Sequence, residues 1–519
     1  GRLRARLLST ACSRIPLAHL MVVVLGDAVW LVAASIGAGR NPEQHFCGST
    51  LLGFSPSAPT SRCPQQLRLR TAGPGATRRH AANLGRIAAV AAAVAASGAV
   101  GLLLRRRGQG RKRAAASVPA WVPPEKGRLL GLLPEEAGLV LQWPSINTVT
   151  FYDGEVPLEW LRDNVSALLA ENPWLGGRLR CQGGFVFIWV PDSAPRVDDY
   201  LLELFCADLS PQLSLHSMRS QVGDALVKCG TDCLNLDEPL FRVSAVRVRS
   251  GRFAVVFSMS HVLGDAQTYY QVFRGLGCGT SAPAATPEVV LNPRRLREFP
   301  GAATVALGSE KVAWFGSRWA QIGNNFGRRF KRAHQWTAWE VNSDWVEEQK
   351  STHSASAGSK DAPWVSTNDV LTSWFLRSGA YEYGFMAVNF REKLGDLKEY
   401  HVGNYEGAVQ FWPGEFREPA GIRRSLQRPP EFRAGRPEAP GPVRSLRSVF
   451  GVATNWTSVQ EDLELPGCKE VLHLPIVNDV QTDGAMITFR PSPGKLAVAL
   501  GERRSRVWKE DPCLRRQIC

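Results

Sequence analysis

At 519 residues, with 44% apolar and 21% charged residues, 16 Trp and 22 Phe, the chain has the composition of a folded globular protein. Wholesale disorder, collagen-like repeats and a disulfide mini-scaffold are excluded, and the length calls for two cores or one large two-lobed core. The net charge of +15 would suggest a nucleic-acid binder, but residues 1–120 hold 17 Lys/Arg against Asp27 and Glu43, while the rest balances 45 bases with 45 acids. No nucleic-acid partner is therefore expected for the body, and the charge points to targeting or membrane-adjacent sequence.

The leader reads in four parts. In residues 1–39, Arg2, Arg4, Arg6 and Arg14 precede an apolar run from Leu17 to Ala38 that ends in small residues, the build of a secretory signal. Residues 40–86 carry seven arginines and one acid among many Ser, Thr, Pro and Ala, a transit-peptide composition. Residues 87–104 hold no charge and are just long enough for a transmembrane helix. A basic linker, 105–122, opens with Arg105-Arg106-Arg107 and continues through Arg111-Lys112-Arg113, a stop-transfer flank. The order resembles bipartite leaders of plastids bounded by extra membranes. An ER membrane protein with a cytosolic body and a misplaced gene start are the other readings. The eleven cysteines follow no framework spacing, and Cys229 and Cys233 have no second pair at zinc-site distance. Reduced thiols and no metal are expected.

In the body, Ile146–Tyr152 reads as a strand. Leu158–Glu171 reads as a helix with Leu161, Val165, Leu168 and Leu169 on one face, closed by Pro173. Phe185–Val190 is strand-like. Leu240–Val248 and Phe253–Met259 flank Arg249-Ser250-Gly251-Arg252 as a hairpin. The second arm runs into Ser260-His261-Val262-Leu263-Gly264-Asp265, and helical spacing resumes from Ala266. A polar turn between strand and helix frees side chains for chemistry. His-x-x-x-Asp alone is a weak pattern, and a structural histidine is its ordinary reading. Residues 311–332 form a basic amphipathic pattern that suits packing or an anionic membrane surface.

Several segments, in order, resemble the BAHD family of acyl-CoA-dependent acyltransferases within the chloramphenicol-acetyltransferase-like superfamily. They are VTFYDGEVPLEWLRDNVSALLAENPWLGGRL (149–179), FAVVFSMSHVLGDAQTYYQVF (253–273), VSTNDVLTSWFLRS (365–378), MAVNFREKL (386–394), HVGNYEGAV (401–409), GVATNWTSV (451–459) and DGAMITFRPSPGKLAVALG (483–501). The resemblance spans roughly residues 120–505. It implies an α/β fold of two similar lobes, mixed sheets with flanking helices around a central tunnel. The lobes would be 123–290 and 336–510, joined by a crossover at 291–335. It departs from the family where DFGWG is expected: this chain has Leu465-Pro466-Gly467-Cys468-Lys469, keeping only the glycine. Ser260 and Ala266 also replace residues common in relatives.

The resemblance implies His261 as general base, with a pKa near neutrality suited to the task. Asp265 would pair with Arg391 as a structural element, and Thr454 and Trp456 would line the acceptor pocket or support the oxyanion, with strand packing as their alternative. No G-x-S-x-G elbow offers a nucleophile, so direct transfer is expected over a covalent acyl-enzyme. Acyl-CoA would be co-substrate with no bound cofactor. The partners would be acyl-CoA and a small hydroxylated or amine acceptor, with a membrane reached through the N-terminal segment and a monomeric body. The rivals are a non-catalytic binding or scaffold protein of the same fold, favoured by the altered loop, and a membrane lipid or wax-ester synthase. Residues 1–104 fused to a fluorescent protein are expected to direct it to a membrane-bounded organelle, read by microscopy; diffuse cytosolic fluorescence would refute the targeting.

Overall fold

The computed structural model describes residues 20–25, 28–33 and 125–519, except 139, 250, 278–289, 308–332, 356–360, 427–448, 478–479, 481, 504–507 and 509. The segment 87–104 with its flanks, the basic stretch 311–332 and the Pro/Arg-rich 428–444 lie outside the described residues. Among the described residues no helix is long and apolar enough to cross a membrane. The chain divides into two units, 1–114 and 115–519. In the first, β1 (Leu20–Leu25) and β2 (Ala28–Ala33) pair antiparallel inside the signal-like apolar run.

The second unit is a mixed α/β body. Its first large sheet has the order β14-β4-β9-β8-β7, from β4 (Ile146–Asp153), β7 (Leu201–Phe205), β8 (Phe241–Arg247), β9 (Arg252–Met259) and β14 (Lys469–Pro475). Only β7 and β8 run parallel. The hairpin read from the sequence is β8–β9, with Val246 opposite Ala254. Strands β4 and β9 are buried along nearly their whole length, which for β9 explains why it reads as an apolar run, while β4 buries Asn147, Thr148 and Thr150 as well. Helix α1 (Leu158–Glu171) buries Leu161, Val165, Leu168 and Leu169 in the same core, as its spacing demands.

A small sheet of β3 (Gly127–Gly131), β5 (Arg178–Gln182) and β6 (Phe185–Pro191) adjoins in the order β3-β6-β5. The second large sheet runs β12-β11-β13-β15-β16-β10-β17. Its members are β10 (Gln335–Val341), β11 (Tyr383–Asn389), β12 (Glu406–Phe411), β13 (Phe450–Asn455), β15 (Gly484–Phe489), β16 (Ala497–Glu502) and β17 (Leu514–Gln517). Its β11-β13-β15 centre is parallel and the remaining pairs antiparallel. Helix α2 (Ala266–Gly275) follows β9, and helix α3 (Thr367–Ser378) opens with a capping box in which Ser366 and Asp369 satisfy each other's backbone.

Strand β14 lies far along the chain yet completes the first sheet. Polar side chains hold it there. His473 is buried between Thr150 Oγ1 (2.8 Å from Nδ1) and Tyr270 Oη (3.0 Å from Nε2), and burial drives its pKa down to about 3, so the ring is neutral. The turn entering β14 is Leu465-Pro466-Gly467-Cys468, closed by Cys468 N–H donating to Leu465 O at 3.1 Å. Gly467 has φ +68°, the left-handed conformation that a proline-led turn of this kind requires. A Cβ at 467 would meet nothing within 4 Å, so its penalty is purely conformational. Gly467→Ala is therefore expected to destabilise the protein by about 1–2 kcal/mol, read as a lowered urea midpoint. Gly414→Ala, in the helical turn Pro413–Phe416, outside the left-handed region and equally open, should not lower that midpoint and should raise it slightly.

Candidate active site

Strand β9 delivers its chain directly into the His261 turn, where Ser260 N–H is held by Leu240 O at 2.7 Å and Leu263 N–H by Ser260 O at 3.0 Å. Gly264 permits the tight entry into α2, because a Cβ there would fall 2.4 Å from the side chain of Thr268. Asp265 caps the helix, its Oδ1 accepting from Thr268 N–H at 3.0 Å.

The same carboxylate is gripped by Arg391, just past β11. The guanidinium donates to Asp265 Oδ2 at 2.8 Å and Oδ1 at 3.1 Å, with both side chains almost wholly buried. Arg391 also donates to His401 O (2.8 Å), Thr268 Oγ1 (3.0 Å) and Gly403 O (3.1 Å), and stacks over Tyr405 at 5.2 Å. Tyr405 N–H donates to Asp265 Oδ2 at 2.9 Å. Desolvating two charges costs several kcal/mol per ion, offset here because nearly every donor and acceptor has a partner.

These bonds bring segment 401–405 against the histidine turn. His261 is half-buried, with Nδ1 2.9 Å from Asn404 Oδ1 and the Trp143 ring edge-on at 4.7 Å. Burial holds its pKa below the ordinary value, opposed by the Asn404 bond and the Asp265 charge. Asn404 Nδ2 donates to His261 O at 2.8 Å and to Glu136 Oε1 at 3.1 Å. Glu136 is fully buried and pairs with Arg295 Nε at 2.8 Å. Asn404 lies in the HVGNYEGAV segment, where its role has no sequence signal, and Glu136 and Arg295 stand in no motif at all.

A cavity of about 310 Å³ adjoins the ion pair, with Asp265, Gln267, Asn389, Glu406 and Thr454 on its wall. His261 and Trp456 are not among its lining residues. Trp456 is buried in the core, its ring edge-on to Tyr270 at 6.0 Å and its N–H held by Thr488 O at 2.9 Å. Of Thr454 and Trp456, Thr454 alone lines the space. Glu406, opposite Asn389 in the β11–β12 register, was also missed; burial, then the Asp265 charge, pushes its pKa up to about 8. Leu465, Pro466 and Gly467 form the turn into β14, and Cys468 Sγ rests 3.3 Å from Glu155 O. Among the described residues no cluster of three or more His, Cys, Asp or Glu could hold a metal.

No family model and no curated protein matches the chain. Among solved structures it is similar to TRI101 of F. graminearum complexed with ethyl coenzyme A, at 12% identity over 73% of this chain and 95% of that one, TM-score 0.49. It is similar to vinorine synthase at 12% identity, covering 74% and 92%, TM-score 0.49. The first condensation domain of the CDA synthetase gives 12%, 74%, 93% and 0.44. These are likenesses of backbone path and assign no residue a role.

Asp265→Ala leaves Arg391 buried without its counter-charge, a loss of about 3–5 kcal/mol. Both Asp265→Ala and Arg391→Ala are expected to lower Tm and yield, and the double variant to cost less than the sum of the two. An Asp265→Ala that melts like the parent while losing activity would instead make Asp265 a member of a catalytic dyad.

Proposed function

We propose that the protein transfers an acyl group from acyl-CoA to a hydroxyl or amine acceptor, with His261 as general base and no covalent acyl-enzyme. One observation carries the reading: the histidine turn, VNFR and the GN segment, matched separately in sequence, converge in space. Arg391 and Asn404 reach Asp265 and His261 across 126 and 143 residues.

In the proposed reaction, His261 Nε2 takes the acceptor's O–H or N–H proton as that atom attacks the thioester carbonyl. The tetrahedral intermediate collapses with expulsion of the CoA thiolate, which receives the proton back from the imidazolium. Thr454, to which the motif match assigns oxyanion support, lines the cavity beside Asp265 rather than the space at His261, and its hydroxyl is the candidate donor for a substrate that spans the two. Trp456 is given a packing role by its burial against Tyr270. The Asp265–Arg391 pair holds the turn in shape and touches no reacting atom. The excess of 17 bases over two acids in residues 1–120 supports a targeting leader, with a plastid as the proposed destination.

The altered Leu465–Lys469 loop favours a second reading, a non-catalytic binding protein of this fold. Release of free thiol from acyl-CoA with a panel of hydroxylated and amine acceptors decides between them. In the active protein His261→Ala should fold normally and lose roughly 10²–10⁴-fold in rate. Because burial lowers the pKa of His261 and the neutral ring is the base, kcat/KM should fall on the acid side with a midpoint below about 6.5. It should stay level above that. A midpoint at or above the ordinary value, or an unimpaired His261→Ala, would remove the histidine from the mechanism.

A further inference from the structure

We propose that Glu136 is a positioning residue: it fixes the side-chain amide of Asn404 and thereby holds His261 as the tautomer protonated on Nδ1, leaving Nε2 as the free base. The kinetic part of this proposal rests on the acyl-transfer reading above; the tautomer does not.

An asparagine amide can exchange its oxygen and nitrogen ends at little steric cost, so its neighbours decide which end faces where. At Asn404 two acceptors hold the nitrogen end, the Glu136 carboxylate and the His261 carbonyl, and Glu136 is the one whose side chain can be changed. Oε1 of Glu136 accepts from Asn404 N at 3.0 Å and from Asn404 Nδ2 at 3.1 Å. Oε2 accepts from Leu133 N at 2.9 Å and Arg295 Nε at 2.8 Å. A carboxylate paired to a guanidinium offers only acceptors, so the amide must present its nitrogen to it. The second hydrogen on that nitrogen goes to His261 O at 2.8 Å. The amide oxygen is thus left 2.9 Å from His261 Nδ1. Two lone pairs cannot share that gap, so Nδ1 carries the proton and, in the neutral ring, Nε2 does not.

The anchor itself is immobilised. Arg295 directs its remaining hydrogens to the carbonyls of Pro293 (3.0 Å), Val402 (3.1 Å), Leu263 (3.2 Å) and Val262 (3.3 Å). It thereby ties Glu136 to both the histidine turn and the segment that carries Asn404. Glu136 has no exposed surface, which separates it from substrate binding.

The test uses the full-length protein labelled with ¹⁵N-histidine, with the His261 resonances identified by their loss in His261→Asn. Above its titration, wild-type His261 should show a protonated Nδ1 and a bare Nε2. In Glu136→Gln, Arg295 and the Leu133 amide claim the glutamine oxygen. The glutamine NH₂ then faces Asn404 Nδ2, donor against donor, and a share of the Asn404 amides turns over, giving up the bond to the His261 carbonyl. His261 should gain the Nε2–H form, and kcat should fall roughly 10–100-fold with KM for acyl-CoA unchanged. Glu136→Gln should cost nothing further in an Asn404→Leu background, since it acts through that amide. Should the lone guanidinium prevent folding, Glu136→Gln/Arg295→Gln removes both charges. It keeps an N–H donor at the position of Arg295 Nε to claim, with the Leu133 amide, the oxygen of the glutamine at 136, and should likewise show the Nε2–H form. An exclusively Nδ1-protonated His261 in the folded variants overturns the proposal, whether or not kcat falls. So does a wild-type ring protonated on Nε2. The expected tautomers in a protein that releases no CoA thiol would uphold the positioning role and reject acyl transfer.

Discussion

The buried pair of Asp265 and Arg391 is the constraint on which the arrangement of the site depends. Each residue belongs to a different sheet: Asp265 ends the turn after β9, and Arg391 follows β11. Two charges with almost no exposed surface tolerate little displacement, because each ångström of separation leaves an ion in a poorly polarisable medium. The pair therefore acts as a short rigid brace. Through Thr268, Gly403 and Tyr405 it also fixes segment 401–405 against the start of α2. His261 and Asn404 inherit their 2.9 Å separation from that brace and from Glu136 and Arg295 beside it.

Much of this was legible in the sequence where a periodic pattern or a compact motif carried it. Helix α1 begins and ends where its apolar spacing and Pro173 place it, and the β8–β9 hairpin flanks the expected turn. Partners matched one motif at a time, such as Asp265 and Arg391, were legible too. Glu136 was not: it sits in a short turn with no period, and its partners Arg295 and Asn404 lie 159 and 268 residues away. The home of β14 was equally hidden, since its half-polar sequence KEVLHLP names no neighbour. Its place depends on Thr150 and Tyr270, which meet His473 only once the sheet exists. Trp456 shows the converse limit, a motif position whose neighbours turn its ring into the core.

The replaced loop at 465–469 has its own local logic. Proline and glycine at the two central positions preorganise the turn, and Leu465 is buried beneath it. The connection therefore meets the geometric demand of delivering β14 to β4 with a proline, a left-handed glycine and one buried leucine.

That delivery has a consequence for biosynthesis. Until β14 arrives, β4 presents an unpaired backbone edge on a strand that the finished fold buries along nearly its whole length, Ile146, Val149, Phe151 and Tyr152 included. The ribosome must make more than 300 further residues after Asp153 before Lys469 emerges, about 15–60 s at the usual elongation rates. The nascent first sheet spends that interval with one sticky border open. The edge of the strand around Phe151 is thus closed only by a segment made in about the last tenth of synthesis.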